Sequence, residues 1–388
     1  MVLAVLVPVK PSHAATPNGD AVEVAKLRKN RSERDCSATV QSDCRLLRDY
    51  SADSIRALIT ANTHAWAEGD DITFATEMKA DSVEVSGGLQ YPMSRIAGTN
   101  LWVLTLREKN LDSAVISYFF VGAGPDIKRP ERFTSIVWRG KNAPVEPLAS
   151  KTLHGRIVQD TLKSASPVAA RGVVVYVPPA RGNEPIRGVV YLGDGGSVTP
   201  LVPGLDTLIM TGALPRIMLV GIPSAMRKPG DAPDLDPRAM EYLWDFETGN
   251  ARFIAHEKFL IDEVIPWAEK KYGAPHDRSK RATWGISNSG GWALDMGLRH
   301  PDAIGNVIAF SPGGRHGEID KTVKLEPGVR FFIQGGTMES AFHTIALSWG
   351  DSLSARGVKA KVREVVAGHD WTVWHDTFPD ALEWAFVK

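Results

Sequence analysis

The sequence predicts an α/β domain with a mostly parallel sheet, preceded by a small antiparallel β-sandwich. Short β-rich runs separated by Gly, Asn, Asp and Pro come first, which is typical of small antiparallel sandwiches. Near-continuous apolar runs that alternate with helical segments follow, as expected of parallel strands buried on both faces. Between the two patterns, residues 141–152 contain prolines and show no periodicity, and they are predicted to form a linker.

The part before the linker has three predicted sections. Residues 1–15 contain the apolar run VLAVLVPV followed by small residues, which indicates the latter part of a secretory signal without its positively charged start. We therefore expect a periplasmic or secreted protein, with a cytoplasmic one as the alternative. Residues 16–65 are polar, with one amphipathic helix that Ser51 can cap. Residues 66–140 form the predicted sandwich, with strands in ITFATEM, DSVEVSG, NLWVLTLRE, SAVISYFFVG and FTSIVWRG.

The composition argues against several classes of protein. Lysine plus arginine and aspartate plus glutamate are balanced at 45 each, whereas nucleic-acid binding needs an excess of cationic side chains. No apolar run approaches the roughly 18 residues that a membrane span requires. Cys36 and Cys44 could form a disulfide in an exported protein, but a cysteine pair alone does not make a zinc site of about four ligands. We expect no metal and no cofactor.

Residues 153–388 form the predicted α/β domain, which opens with two antiparallel runs. Helices are expected at residues 253–272, 290–299, 340–355 and 377–385. The runs read as strands are GRIVQDTL, RGVVVYVPPA, RGVVYLGDGG, RIMLVGIPS, RATWGIS, NVIAFSPGG, VRFFIQGG and AKVREVVAGHD. Several end in Gly-rich turns, and ligands of open α/β sheets bind outside the carboxyl ends of the strands. These turns are therefore where a reaction site is expected.

One of these turns carries a candidate nucleophile. The strand RATWGIS is followed by the helix SGGWALDMGLR, which is expected to end before Pro301. A nucleophile elbow needs small residues two positions before and two positions after the nucleophile, because the turn is very tight. Ser287 and Ser289 both satisfy this rule. Ser287 is favoured because only then do Gly285 and the glycines after Ser289 all have a role.

A serine hydroxyl needs a base that removes its proton and an acid that orients this base. Glu339 follows the strand VRFFIQGG, and His369 follows the next strand, AKVREVVAG. Serine, acid and histidine in this order, each at a strand end, are one known arrangement of a catalytic triad. His375 is an alternative base, expected at the surface of the last helix. Asp370 is an alternative acid, but its side chain should point away from the adjacent His369.

The negative charge that develops during acyl transfer needs hydrogen-bond donors. The backbone N–H of Asn288, directly after the nucleophile, is one predicted donor, and the turn GDGG supplies the other from Gly196. A phosphate cradle is the competing interpretation of GDGG, but the lysine of phosphate-binding loops is missing. The residues predicted to line the substrate pocket are Gly195, Arg227, Arg315 and His316.

Taken together, these motifs resemble the putative-esterase family of α/β hydrolases, which includes enterochelin (enterobactin) esterases, S-formylglutathione hydrolases, feruloyl esterases and mycolyltransferases. The resemblance is carried by VVYLGDGG, LVGIPSAMR, FLIDEVIPWAEKKYG, GISNSGGWALDMGLRHPD, GGTMESAF and GHDWTVWHDTFPDALEW. It implies an α/β-hydrolase fold and a serine esterase with Ser287, Glu339 and His369 as the triad. Asn288 and Gly196 match the oxyanion donors of the family.

The N-terminal part narrows the resemblance. Residues 80–106, and MSRIAGTNLW above all, are similar to the sandwich that precedes the hydrolase in enterochelin esterases. This implies an enterobactin-type trilactone as substrate, a small-molecule ester whose anionic catecholates could meet cationic side chains in the strand-end loops. Those side chains are Arg227, Lys228, Arg238 and Arg315. The sandwich is also related to starch-type carbohydrate-binding modules, so a feruloyl or acetyl-xylan esterase is the alternative. An alternative of another class is a non-catalytic ligand-binding protein on a hydrolase fold.

Three features depart from the pattern of the resembled family. Ser289 stands where the elbow usually has its second small residue, a glycine. The acid is Glu339 rather than an aspartate. The loop SPGGRHG lacks the aromatic pair expected near an enterochelin-esterase pocket.

Overall fold

A computed structural model describes residues 35–37, 42–59, 64–127, 134–164, 168, 171–232, 234–315, 317, 319 and 325–387. The predicted signal at residues 1–15 and much of the predicted polar segment lie outside the described residues. The described chain divides into two compact units. Of the described residues, the first unit contains those up to Pro144 together with the short segments Gly336–Ser340 and Val365–Val373, and the second contains the remainder.

The first unit is built around two antiparallel sheets, as the sequence predicts. Its strands are β1 (Cys44–Leu46), β2 (Ala65–Glu68), β3 (Asp71–Glu77), β4 (Ser82–Gly87), β5 (Tyr91–Pro92), β6 (Ser94–Arg95), β7 (Leu101–Arg107), β8 (Val115–Ala123) and β9 (Ile136–Arg139). One sheet has the order β1-β7-β3-β2 with β6 also on β7, and the other has the order β5-β4-β8-β9. Alternate residues of both sheets, such as Phe74, Leu104, Val85 and Tyr118, share one buried core.

A short helix and a disulfide belong to this unit as well. Helix α1 (Ala52–Leu58) begins after Ser51, whose side chain accepts a hydrogen bond from the backbone N–H of Ser54. The cap predicted from the sequence is therefore confirmed. Cys36 and Cys44 form a disulfide.

The larger sheet has eight strands, in the order β10-β11-β13-β12-β14-β15-β16-β17. These strands are β10 (Arg156–Leu162), β11 (Arg171–Val177), β12 (Gly188–Gly193), β13 (Ile217–Ile222), β14 (Arg281–Ile286), β15 (Asn306–Phe310), β16 (Arg330–Gly336) and β17 (Ala360–Val365). Strand β11 is antiparallel to both of its neighbours, β10 and β13. The strands β13, β12, β14, β15 and β16, in this order across the sheet, are parallel to one another. The predicted mostly parallel sheet with an antiparallel entry is thus confirmed. Strands β12 and β13 are buried along their whole length, which is typical of parallel strands covered on both faces.

The helices that accompany this sheet are α2 (Val198–Thr211), α3 (Pro237–Tyr242), α4 (Ala251–Lys258), α5 (Ile265–Tyr272), α6 (Asn288–Arg299), α7 (Ser340–Ala355) and α8 (Trp371–Phe386). A π-helical segment, Phe259–Val264, joins α4 to α5, so the predicted helix at residues 253–272 is continuous. Helix α8 begins six residues earlier than predicted. In the described part of the chain, no helix combines the length and the apolar character that a membrane crossing needs.

Candidate active site

Ser287 stands at the turn from β14 to α6 in a conformation that few residues other than glycine adopt. Its backbone has φ 55° and ψ −127°, and such strained conformations persist only when the surroundings enforce them. The backbone N–H of Ser287 donates to Phe310, at 3.1 Å, and its carbonyl accepts from Gly290, at 2.9 Å, and Gly313, at 2.8 Å. The side chain is half-buried. These bonds hold Ser287 in the geometry of a nucleophile elbow.

Glycines make the tight turn possible. A Cβ on Gly285 would lie 1.9 Å from the carbonyl oxygen of Ser289, and one on Gly291 would lie 2.5 Å from that of Gly313. Neither position can hold a larger residue without moving backbone. Ser289 itself is fully buried, and its Oγ lies 2.9 Å from Asp194 Oδ2. A buried hydroxyl that is already hydrogen-bonded cannot contact a substrate. Ser287 is only half-buried, so it is the better candidate nucleophile of the two serines.

Two turns place backbone N–H groups at the same edge of the sheet. Asn288 is the first residue of α6. At this end of a helix the N–H groups lack an acceptor within the helix, and the helix dipole has its positive end. Asp194 and Gly196 follow β12, which is the parallel neighbour of β14. A Cβ on Gly196 would meet nothing within 4 Å, whereas one on Gly195 would touch the backbone of Gly221 at 3.0 Å. Open space therefore lies in front of Gly196, and Gly195 is packed against the end of β13.

In the first unit, Glu339 and His369 form a hydrogen-bonded pair. The Glu339 carboxylate is fully buried and lies just after β16. Its Oε1 accepts from the backbone N–H of Gly336, at 2.6 Å, and its Oε2 lies 2.6 Å from His369 Nδ1. About a quarter of the His369 side chain is exposed. With Nδ1 held by a carboxylate, Nε2 is the nitrogen that can accept a proton from another group.

The segment around His369 is anchored through its backbone and through Asp370. The N–H of His369 donates to the carbonyl of Gly88, at 2.9 Å. Asp370 accepts from the N–H of Ser117, at 2.7 Å, and from that of Thr372, at 2.8 Å. The Asp370 carboxylate therefore contacts backbone groups of β8 and of α8. Its bond to Thr372 caps α8 and explains why this helix starts earlier than predicted.

His375, predicted to lie at the surface, is mostly buried. It lies inside α8, its side chain is only 16% exposed, and its Nδ1 lies 3.0 Å from Asp376 Oδ1. Its neighbours Trp374, Asp376 and Phe378 are buried as well, so this stretch of α8 is largely enclosed and position 375 does not face open solvent. His316, predicted to line the pocket, lies outside the described residues.

The predicted cationic side chains differ in their surroundings. Arg315 donates to the buried Asp295, at 2.6 Å, and burial raises the pKa of Asp295 to about 6. Arg227 is exposed and donates to the carbonyl of Ala232, at 2.9 Å. Arg238 binds Asp194 through two hydrogen bonds, a role of Asp194 that no local sequence motif indicates.

Across the described ranges, no group of three or more His, Cys, Asp or Glu side chains is arranged to hold a metal ion.

Comparisons with known proteins agree with this architecture. The model of the "Putative esterase" family matches residues 164–385. The enterobactin esterase of Shigella flexneri, crystallised in the presence of enterobactin, is 19% identical with a TM-score of 0.63, over 88% of this chain and 99% of that one. The ferric enterobactin esterase of Salmonella typhimurium is 18% identical with a TM-score of 0.63, over 87% and 99%.

A third similar structure matches a smaller share of the chain. The ferulic acid esterase of Anaeromyces mucronatus in complex with ferulic acid is 20% identical with a TM-score of 0.51, over 61% of this chain and 93% of that one. At these identities the likeness concerns the fold. The family match covers more than half of the chain, so the protein belongs to the Esterase family of α/β hydrolases and is a carboxylic ester hydrolase.

Proposed function

We propose that this esterase cleaves its substrate through a triad of Ser287, His369 and Glu339. The observation that carries the proposal is the pair in which a fully buried Glu339 carboxylate holds His369 Nδ1 at 2.6 Å. Such a pair orients the imidazole and stabilises the imidazolium that forms when the histidine takes a proton. The strained elbow at Ser287 supplies the matching nucleophile.

The proposed reaction has two halves. Ser287 Oγ attacks the ester carbonyl carbon while His369 Nε2 takes its proton, and the N–H groups of Asn288 and Gly196 stabilise the oxyanion. The tetrahedral intermediate then expels the alcohol, which receives the proton from His369. In the second half His369 takes a proton from water, and the resulting hydroxide attacks the acyl-enzyme. The acid product leaves, and Ser287 recovers its proton.

The test compares the variant Ser287→Ala with the wild-type protein. Ser287→Ala is expected to abolish hydrolysis of p-nitrophenyl esters and covalent labelling by a fluorophosphonate. A wild-type protein labelled at Ser287 would rule out a non-catalytic ligand-binding protein. Full esterase activity in Ser287→Ala would contradict the triad, and peptide mass spectrometry would then locate the true nucleophile.

For the substrate, we propose an enterobactin-type trilactone. Support comes from the likeness to enterobactin esterases, which extends over both units, and from the exposed Arg227, whose charge suits a catecholate. The likeness to a ferulic acid esterase favours a feruloyl or acetyl-xylan ester as the second candidate. The two are separated by measuring kcat/KM for the trilactone, for a feruloylated oligosaccharide and for acetylated xylan. A higher kcat/KM for either xylan-type ester would reverse this assignment.

For the compartment, we propose the periplasm or the cell exterior. The disulfide between Cys36 and Cys44 supports this, because disulfides persist in oxidising compartments. Alkylation of the protein taken from cells without a reductant should leave both cysteines unmodified. Two free thiols would favour the cytoplasm.

A further inference from the structure

Ser289 makes contacts that the usual elbow glycine could not make. Its Oγ lies 2.9 Å from Asp194 Oδ2 and accepts a hydrogen bond from the backbone N–H of Ile286, at 3.0 Å. The carbonyl of Ile286 lies 2.8 Å from the same Oγ. A hydroxyl has one proton, and a carboxylate is a stronger acceptor than a carbonyl, so Ser289 is assigned as a donor to Asp194. The side chain thus connects two separate turns.

The space for this side chain is provided by a glycine on the neighbouring strand. A Cβ on Gly193 would lie 2.6 Å from the Cβ of Ser289. The last residue of β12 and the second residue of α6 are therefore matched in size. Any larger residue at position 193 would push Ser289 away from Asp194.

Asp194 is held in a strained conformation. Its backbone has φ 54° and ψ 69°, a left-handed conformation that costs on the order of 1–3 kcal/mol in residues other than glycine. Three groups hold it there. Its carboxylate accepts two hydrogen bonds from Arg238, at 2.7 and 2.6 Å, and its backbone N–H donates to the hydroxyl of Tyr242, at 2.7 Å. Ser289 is the third group.

Arg238 is itself fixed by this arrangement. Burial lowers its pKa, but the hydrogen bond and the charge of Asp194 outweigh this effect, so that the pKa is raised overall. Its guanidinium also lies 5.4 Å from the centre of the Tyr242 ring. The cation therefore stays charged and in place beside Asp194.

We propose that Ser289 and Asp194 are positioning residues that fix the distance between the two oxyanion donors. The inference rests on the function proposed above. Ser289 directly follows Asn288, and Asp194 precedes Gly196 by two residues, so their hydrogen bond joins the turns that carry the two N–H groups. An oxyanion is stabilised only when both donors lie within about 2.7–3.1 Å of it, and small displacements are costly. The bond between the two turns keeps this geometry in place before substrate arrives.

The test uses full-length variants: Ser289→Ala, Ser289→Gly, Asp194→Asn and the double variant Ser289→Ala/Asp194→Asn. We expect each single change to lower kcat about tenfold, less than the loss of a whole donor, while KM changes less than about twofold. The affinity for a trifluoromethyl ketone, whose adduct with Ser287 carries an oxyanion, should fall by a similar factor. The double variant should lose little more than either single one, because the residues act through one contact.

The matched control is Thr283→Val. Thr283 lies on β14, and its buried hydroxyl donates to the carbonyl of Ala293 in α6, at 3.1 Å, away from the turn after β12. This variant should lose stability but keep the wild-type kcat and ketone affinity. Equal kcat losses in Thr283→Val and Ser289→Ala, or wild-type kcat and ketone affinity in Ser289→Ala and Ser289→Gly, would overturn the inference. The variant Ser287→Ala separates the two proposals. If Ser287→Ala stays active, the proposed triad is wrong. If Ser287→Ala is inactive while the Ser289 variants are fully active, only the positioning role is refuted.

Discussion

At the scale of single residues, strain is concentrated at one edge of the large sheet. Asp194, Ser287 and Ser311 directly follow β12, β14 and β15, and all three have positive φ angles, of 54°, 55° and 45°. Residues other than glycine rarely adopt such φ angles, and those that do are found mainly at functional sites. Each of the three is held by hydrogen bonds from neighbouring strands or turns. The N–H of Ser311, for example, donates to Gln334 at 2.7 Å.

The role of Glu339 can be tested by removing its charge alone. Glu339→Gln keeps the shape of the side chain, but it can favour the wrong histidine tautomer and cannot stabilise an imidazolium. We expect kcat to fall roughly a thousandfold or more, with little change in melting temperature. Glu364→Gln is the matched control, because Glu364 lies 2.7 Å from His343 Nε2 in a second, more exposed carboxylate–histidine pair. Comparable losses in both variants would contradict the assignment of Glu339.

At the scale of elements, the alternation of strands and helices could be predicted from the sequence, but some individual helices could not. The sequence does not predict helix α2, because this helix contains Pro203 and a proline in a helix interior usually indicates a break. The predicted start of α8 is six residues late, although an aspartate, Asp370, stands directly before the helix and caps it. That capping residue was the signal that could have found the start.

Helix α4 contributes a buried group that should make stability depend on pH. His256 is fully buried, and among the described residues neither ring nitrogen has a hydrogen-bond partner. Burial lowers the pKa of His256 to about 4, below the value of about 6.5 in the unfolded chain. The unfolded state therefore binds more protons between these values, so the stability due to neutral His256 is present above pH 6.5 and is lost as the pH falls towards 4.

The loss amounts to about 2 kcal/mol at pH 5 relative to pH 8. His256→Phe should remove this part of the decline in the free energy of unfolding, measured by urea denaturation at several pH values. His276→Gln, a change at a histidine whose side chain is 82% exposed, serves as the comparison and should leave most of the slope in place. An unchanged slope in His256→Phe would show that His256 is not the group that titrates.

At the scale of the whole molecule, hydrogen bonds between distant parts of the sequence hold the candidate residues of each unit in place. Asp370 and Ser117 are 253 positions apart, and Ser289 and Asp194 are 95 apart. The places of Ser287, Glu339 and His369 after strands β14, β16 and β17 could be predicted, because each follows a recognisable apolar run. The partners of Asp370 and Ser289 could not, because no local pattern tells which turns of a fold meet.

The contacts within the first unit predict that its sandwich strands support His369. Strand β8 donates from Val115 to the carbonyl of Val366, at 3.0 Å, and from Ser117 to Asp370, while Gly88 accepts from His369. Asp370→Ala should therefore lower kcat by about tenfold or more, because small displacements of a catalytic base are costly.

Two further variants make the test of Asp370 specific. Asp370→Asn keeps one acceptor oxygen and should retain more activity than Asp370→Ala. Asp112→Asn changes a sandwich carboxylate that contacts the exposed Asn142, and it should behave as wild type. A wild-type kcat in Asp370→Ala would show that the anchored segment does not depend on this carboxylate.

The strand order β13-β12-β14 has a consequence for how specificity can evolve. After β12, the chain adds β13 on one side and β14 on the other, and ligands of open α/β sheets bind where the strand order reverses in this way. The place at which a ligand is expected therefore follows from connectivity and needs no particular side chain. The described residues between positions 223 and 236, which follow β13, include the exposed Met226 and Arg227 and take no part in the hydrogen bond between Asp194 and Ser289. Changes of length and sequence in this loop can therefore alter which esters are accepted while the reacting groups keep their places.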